Sequence, residues 1–213
     1  GDADGAITGN TRRFGASLKK ITQVIKARPG EIMFGLNMVV HKGKTIFVGD
    51  TSVHEYPTSE QLAEIAISSA RVVRLFGFEP RIAFVSHSTF GQPLTSRTKH
   101  IRDAVEILRK KKVDFEFDGD MQPDVALNEE YKSLYPFSKI VGNANILIMP
   151  GQHSAAISYK MMKTLGDTKV IGPLLIGLGL PIEIAPLRSS TSEIINLASI
   201  AAYSADVINY DKD

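Results

Sequence analysis

The strongest constraint on this chain is an alternation: short apolar runs of strand character take turns with amphipathic stretches of helical period. Ile82-Ala83-Phe84-Val85 and Ile146-Leu147-Ile148-Met149 are unbroken apolar runs, as expected of strands buried on both faces. Around them lie helical patterns. Leu18, Ile21, Val24 and Ile25 recur at a spacing that predicts a helix over Ser17 to Ala27, stopped by Pro29-Gly30. Thr58 and Gln61 form a capping box ahead of Leu62, Ile65, Ala66, Ala70 and Val73, and Gly77 supplies the stop. Further helices are expected over 97–112, 125–134, 155–165 and 191–209, and strands over 113–117, 170–176 and 182–184. Ile32 to Val40 and Thr45 to Val48, joined by His41-Lys42-Gly43-Lys44, read as a β-hairpin. Together these elements predict an α/β fold with a largely parallel sheet covered on both faces.

In sheets of this kind ligands settle outside the carboxyl ends of the strands. That rule singles out the loops over 86–93, 118–124, 150–154 and 172–188. Composition narrows the class. The 213 residues contain no cysteine, so a disulfide scaffold is excluded and the cytoplasm is the default location. Apolar stretches end well short of the roughly 20 residues a bilayer needs. Net charge is only +2, and the run Arg109-Lys110-Lys111-Lys112 closes a helix, where cations complement the dipole. Neither a membrane nor a nucleic acid is expected as a partner. The abrupt start at Gly1-Asp2-Ala3-Asp4-Gly5 reads as a cut through a longer polypeptide.

Two glycine motifs carry no nucleotide site. Gly43-Lys44-Thr45 lacks the earlier glycine of a phosphate-binding loop, since Met38 stands there. Gly177-Leu178-Gly179 runs into Pro181 and Ile182 where a dinucleotide fingerprint needs a third glycine and a helix. Ser86-His87-Ser88-Thr89-Phe90-Gly91 is richer: three hydroxyls follow a buried strand, which suits either an anion cradle or ordinary turn and capping chemistry. Asp50, His54 and Glu55 form a weak metal-binding pattern for which polar loop residues are the plainer reading. His87 and His153 stand on strand-following loops as candidate acids, bases or hydrogen-bond donors. Arg12, Arg13, Lys19 and Lys20 place four cations near one another, either as a solvated surface or as a grip on an anionic ligand.

Several blocks, read together, resemble the phosphotransacetylase (phosphate acetyl/butyryl transferase) family, and more closely its version fused to the C-terminus of NADP-dependent malic enzymes. They are Asp2-Ala3-Asp4-Gly5, Pro57 to Ala66, Ser86 to Gly91, Val113 to Met121 and Val170 to Leu175, with Tyr135-Pro136-Phe137 adding to the malic-enzyme likeness. The resemblance implies two α/β/α three-layer subdomains with a cleft between them, in an isocitrate dehydrogenase-like arrangement. Residues 30–178 would form the second subdomain. Residues 1–29 and 179–213 would belong to a first subdomain that is incomplete.

In the family an Asp accepts the thiol proton of coenzyme A, a Ser hydrogen-bonds the reacting carbonyl and an Arg holds phosphate. Aligned on Ile194-Ile195-Asn196, this sequence has Glu193 at the Asp and Pro186 and Leu187 at the Ser and Arg. A further family Arg aligns with Lys19, and Arg188 follows the lost pair. The resemblance therefore implies a domain that binds acetyl-CoA or coenzyme A without transferring acyl groups, through Arg12, Arg13, Lys19, Ser86, His87, Ser88, Thr89, His153 and Arg188. The alternative is a working phosphate acetyl/butyryltransferase. No metal is expected here; NADP and a divalent metal would belong to the malic-enzyme portion. Self-association as a dimer or higher oligomer through the second subdomain is expected.

Overall fold

The computed structural model describes residues 2–210, with side chains through residue 206. The outermost positions of the expected first subdomain, Gly1 and residues 211–213, lie outside the described residues. The fold is α/β. Six strands build the main sheet: β2 (Phe34–His41), β3 (Lys44–Gly49), β4 (Arg81–Val85), β5 (Glu116–Met121), β6 (Ile146–Ile148) and β7 (Thr168–Ile176), in the order β5-β4-β6-β3-β2-β7. The run from β5 to β3 is parallel, whereas β2 pairs antiparallel with both β3 and β7. Five of these six strands therefore point the same way, and β2 runs against them. The reason is the hairpin turn at Lys42 and Gly43, both at positive φ, which reverses the chain and sets β2 against β3.

The period-two alternation of side chains decides which helix covers which face. Phe47, Ile82, Phe84, Ile146 and Ile148 pack in one core with residues of α2 (Ser59–Leu75) and α3 (Ser96–Lys111). Their neighbours Val48, Ala83, Val85 and Leu147 point the other way, into a second core with α4 (Pro123–Leu127) and α6 (Gln152–Leu165). Three layers result. Thr58 caps α2 with both bonds of the expected box: its hydroxyl accepts from Gln61 N–H, and its own N–H donates to Gln61 Oε1 at 2.8 Å.

A smaller unit sits beside this sheet. β1 (Ala6–Gly9) and β8 (Ile182–Ala185) pair in parallel, Ala6 opposite Ile182 through Gly9 opposite Ala185. α1 (Phe14–Val24) lays Phe14, Leu18 and Ile21 on Ile182 and Ile184. α7 (Thr191–Tyr210) brings Leu197 against Ala185. Gly9 is at φ 106, and a Cβ there would overlap the carbonyl oxygen of Ala185, so only glycine lets these two strand ends come so close.

Several expected elements are displaced. The strand expected over 113–117 runs instead over Glu116–Met121, so Asp118 and Asp120 are buried strand residues and no loop begins at 118. Asp118 accepts from Lys139 N–H at 2.8 Å and pairs with Arg109 at 3.2 Å, which makes the buried carboxylate tolerable. The helix expected over 125–134 is two pieces, α4 and α5 (Glu129–Lys132), parted at Asn128, whose side chain caps the second by accepting from Glu130 N–H. Gly172 lies inside β7, so the loop expected from that point begins only after Ile176. Among the described residues no helix is long and apolar enough to cross a membrane.

Candidate functional site

The loops after β1 and β8 lie side by side because their strands are parallel neighbours. Asn10 N–H donates to Ala185 O at 2.9 Å, and Arg188 N–H returns a bond to Asn10 O at 3.2 Å. This pair of backbone bonds sets Arg12 and Arg13, at the entrance of α1, next to Pro186, Leu187 and Arg188. All but Pro186 are exposed. Two polar atoms of this region, Asn10 Oδ1 and Ser17 Oγ, are buried without a hydrogen-bond partner, an arrangement that costs free energy unless something else satisfies them. Lys19 is exposed further along α1.

Between this unit and the main sheet lies a cleft of about 140 Å³, lined by Tyr159, Lys160 and Lys163 of α6, Val170 to Gly172 of β7, and Pro186, Ser189, Glu193, Asn196 and Leu197. Pro186 and Glu193 thus meet in one cleft. Glu193 closes a capping box on α7, accepting from Ser190 N–H at 2.8 Å, and receives Lys163 Nζ at 2.7 Å. The Lys163 ammonium, helped by the Ser190 N–H, holds its carboxyl below the ordinary carboxylate range. Such a carboxylate is a poor proton acceptor. Burial in turn raises the Tyr159 phenol.

The sequence pointed to Pro186 and Glu193 but missed Tyr159, Lys160 and Lys163. The only signal for them was a Tyr-Lys pair with a second Lys one turn on, in a helix whose partner lies 30 residues away in sequence.

The other expected site residues stand elsewhere. Ser86, Ser88 and Thr89 are buried, and their polar groups serve the loop itself. Ser88 Oγ donates to Asp120 Oδ2, Gly91 N–H donates to Asp120 Oδ1 at 3.0 Å, and Gln122 N–H donates to Thr89 Oγ1 at 3.2 Å. Of the two readings open for this loop, the geometry matches turn chemistry. The His87 side chain is exposed, and its carbonyl accepts from Gln122 Nε2. His153 lies in a separate, wider cavity, its Nε2 3.1 Å from Glu55 Oε1 and its ring stacked on Tyr56.

Asp50 is saturated by the backbone N–H groups of Gly35, Ser52, Val53 and His54, with His54 Nδ1 at 2.8 Å. It is a loop-organising carboxylate. Among the described residues no cluster of three potential metal ligands forms.

Comparison with known proteins gives this geometry a context. Residues 1–202 match the family described as phosphate acetyl/butaryl transferase. The NADP-dependent malic enzyme of Rhizobium meliloti is 46% identical over 205 residues, 96% of this chain and 27% of that protein. The phosphate acetyltransferase of Clostridium acetobutylicum is 33% identical, with 96% of this chain matching 64% of it. A phosphotransacetylase structure from Streptococcus pyogenes superposes with a TM-score of 0.89 at 31% identity, covering 95% of this chain and 63% of that one. The chain spans about a quarter of the length of the malic enzymes it matches. With Pro186 and Glu193 in one cleft, a match over residues 1–202 and a shared fold, the chain belongs to the phosphate acetyl/butaryl transferase family.

Proposed function

We propose that this chain is the phosphotransacetylase-like, C-terminal domain of a larger NADP-dependent malic-enzyme polypeptide, and that it binds acetyl-CoA in its cleft as a regulatory signal without transferring the acyl group. One observation carries the reading: the loop after β8 presents Pro186 to the cleft and leaves Leu187 exposed beside it, at the two positions where the resemblance implies a hydroxyl and a guanidinium. Losing one preorganised donor costs about 10² to 10³ in rate. Glu193, held below the ordinary carboxylate range by Lys163, compounds the loss, because a general base works best with a pKa near the working pH.

Binding is supported by what stays. Arg12 and Arg13 at the entrance of α1, with Arg188 beside them, suit the phosphates of coenzyme A. NADP and a divalent metal belong, on this reading, to the malic-enzyme portion. Self-association through the larger unit is supported by the exposed Leu134, Phe137 and Val141, and light scattering of the purified chain checks it.

Calorimetric titration of acetyl-CoA tests the reading together with a thioester absorbance assay on acetyl phosphate and coenzyme A. Saturable binding without turnover is expected. Clear turnover would support a second reading, a working transferase, which the identity to the Clostridium acetobutylicum phosphate acetyltransferase favours. Absence of binding by a folded chain would overturn the sensing role.

A further inference from the structure

We propose that a second cavity, toward the opposite ends of β7, β8 and α7 from the cleft, binds a small amphiphilic anion that carries a carbonyl oxygen. This cavity is about 330 Å³, within the range of small-molecule sites, and shares no lining residue with the cleft. Leu75 at the end of α2, Phe76 just after it, Leu178 from the turn after β7 and Ile200 from α7 form its apolar part. Set among them is Glu183, which is 3% exposed.

Glu183 Oε2 accepts from Leu175 N–H at 3.0 Å. Among the described residues the other carboxyl oxygen has no hydrogen-bond partner. That oxygen is not among the fully buried polar atoms that lack a partner; Glu183 lines the cavity, so a ligand seated there can reach it. Burial pushes Glu183 up to about 8, against the smaller opposing effect of the Leu175 N–H. At neutral pH it is a carboxylic acid, and its second oxygen can donate a proton in a hydrogen bond. A carbonyl oxygen is the group that accepts it.

The rim sets the charge of the ligand. Arg28 from the segment after α1 and Arg71 from α2 both face Glu31, at 3.8 and 2.8 Å. Two guanidiniums share one carboxylate, which leaves one positive charge in excess at the mouth. Tyr203 of α7 lines the same cavity but spends its hydroxyl on Leu75 O at 3.1 Å. The charged and titratable groups around the cavity are therefore Arg28, Glu31, Arg71, Tyr203 and Glu183. They describe a monoanion with an apolar stem and an acceptor oxygen.

Levulinate and pentanoate separate these features, since both are short carboxylates and only levulinate carries a ketone. Each is titrated into the chain by nuclear magnetic resonance at about pH 6.5 and about pH 9.5, either side of the Glu183 titration. Levulinate is expected to bind about tenfold more tightly than pentanoate at the lower pH, the size of one hydrogen bond to a buried donor. At the higher pH the ionised Glu183 stops donating and repels the ligand, so that advantage disappears. Glu183→Gln keeps a donor and removes the titration, so levulinate affinity becomes level across the two pH values; Arg71→Gln weakens both ligands several-fold.

Equal binding of the two compounds, no saturation by about 10 mM, or a pH dependence that persists in Glu183→Gln would each overturn the site. Saturating acetyl-CoA is expected to leave levulinate binding unchanged. Competition between them would overturn the separation of the two sites while leaving the sensing proposal intact, so the two proposals fail independently.

Discussion

Glu183 and Glu193 stand ten residues apart on either side of one loop, and their surroundings push them in opposite directions. Glu193 lies at the surface of the cleft, bonded to Lys163 and to the Ser190 N–H, and its carboxyl is held low. Glu183 lies among apolar side chains with a single backbone donor, and burial raises it. The carboxyl that aligns with the family's base is thus the weaker base of the two, and the one that keeps a proton at neutral pH lies in a different cavity. Position in the family pattern does not fix chemical role. The donors that touch the carboxyl do.

The contrast can be broken most forcefully at the loop between them. Replacing Pro186 with Ser and Leu187 with Arg together restores the two missing group types to the cleft. If their absence is what silences the site, acyl transfer should rise by about 10² or more over the starting chain in the thioester assay. An unchanged rate would shift the blame to Glu193 and Lys163.

Stability against pH sharpens the contrast next. The raised Glu183 keeps its proton on folding, so its contribution is fully present below the ordinary carboxylate range and is lost as pH rises towards about 8. By pH 7 the loss amounts to about 3 kcal/mol for a shift of this size. Urea midpoints should fall as pH rises from about 5 to about 8, and Glu183→Gln should flatten that decline. Glu193 has the opposite sign: its lowered carboxyl stabilises the fold above the ordinary range, and that stability is lost as pH falls. The smallest effect is Lys163→Met, which should cost under about 1 kcal/mol because the ion pair is half exposed. It should still bring the Glu193 carboxyl back toward its ordinary titration, observable by carbon-detected magnetic resonance.

Much of the main sheet was legible because its signals are local. The capping box at Thr58 and Gln61, the apolar runs of β4 and β6, and the hairpin turn at Lys42-Gly43 each fall within a few residues. β5 was misplaced because Asp118-Gly119-Asp120 is poor strand sequence. Those carboxylates are tolerated largely through Arg109, Ser88 and the backbone N–H groups of Lys139 and Gly91, which the fold brings from a distance. The same blindness hid the cleft. Nothing near Glu193 in sequence announces Lys163, and nothing near Ser88 announces that Asp120 occupies its hydroxyl.

The pairing of β1 with β8 has a temporal meaning. Ala6 meets Ile182 only after all the residues between them have been made, and closing so long a loop is entropically late in folding. During synthesis, α1 leaves the ribosome before β8, the strand on which Phe14, Leu18 and Ile21 lie, has been made. The region that carries Arg12 and Arg13 is made well before β8 and is seated only after it, so the group of cations formed with Arg188 exists only once two segments far apart in the sequence have met.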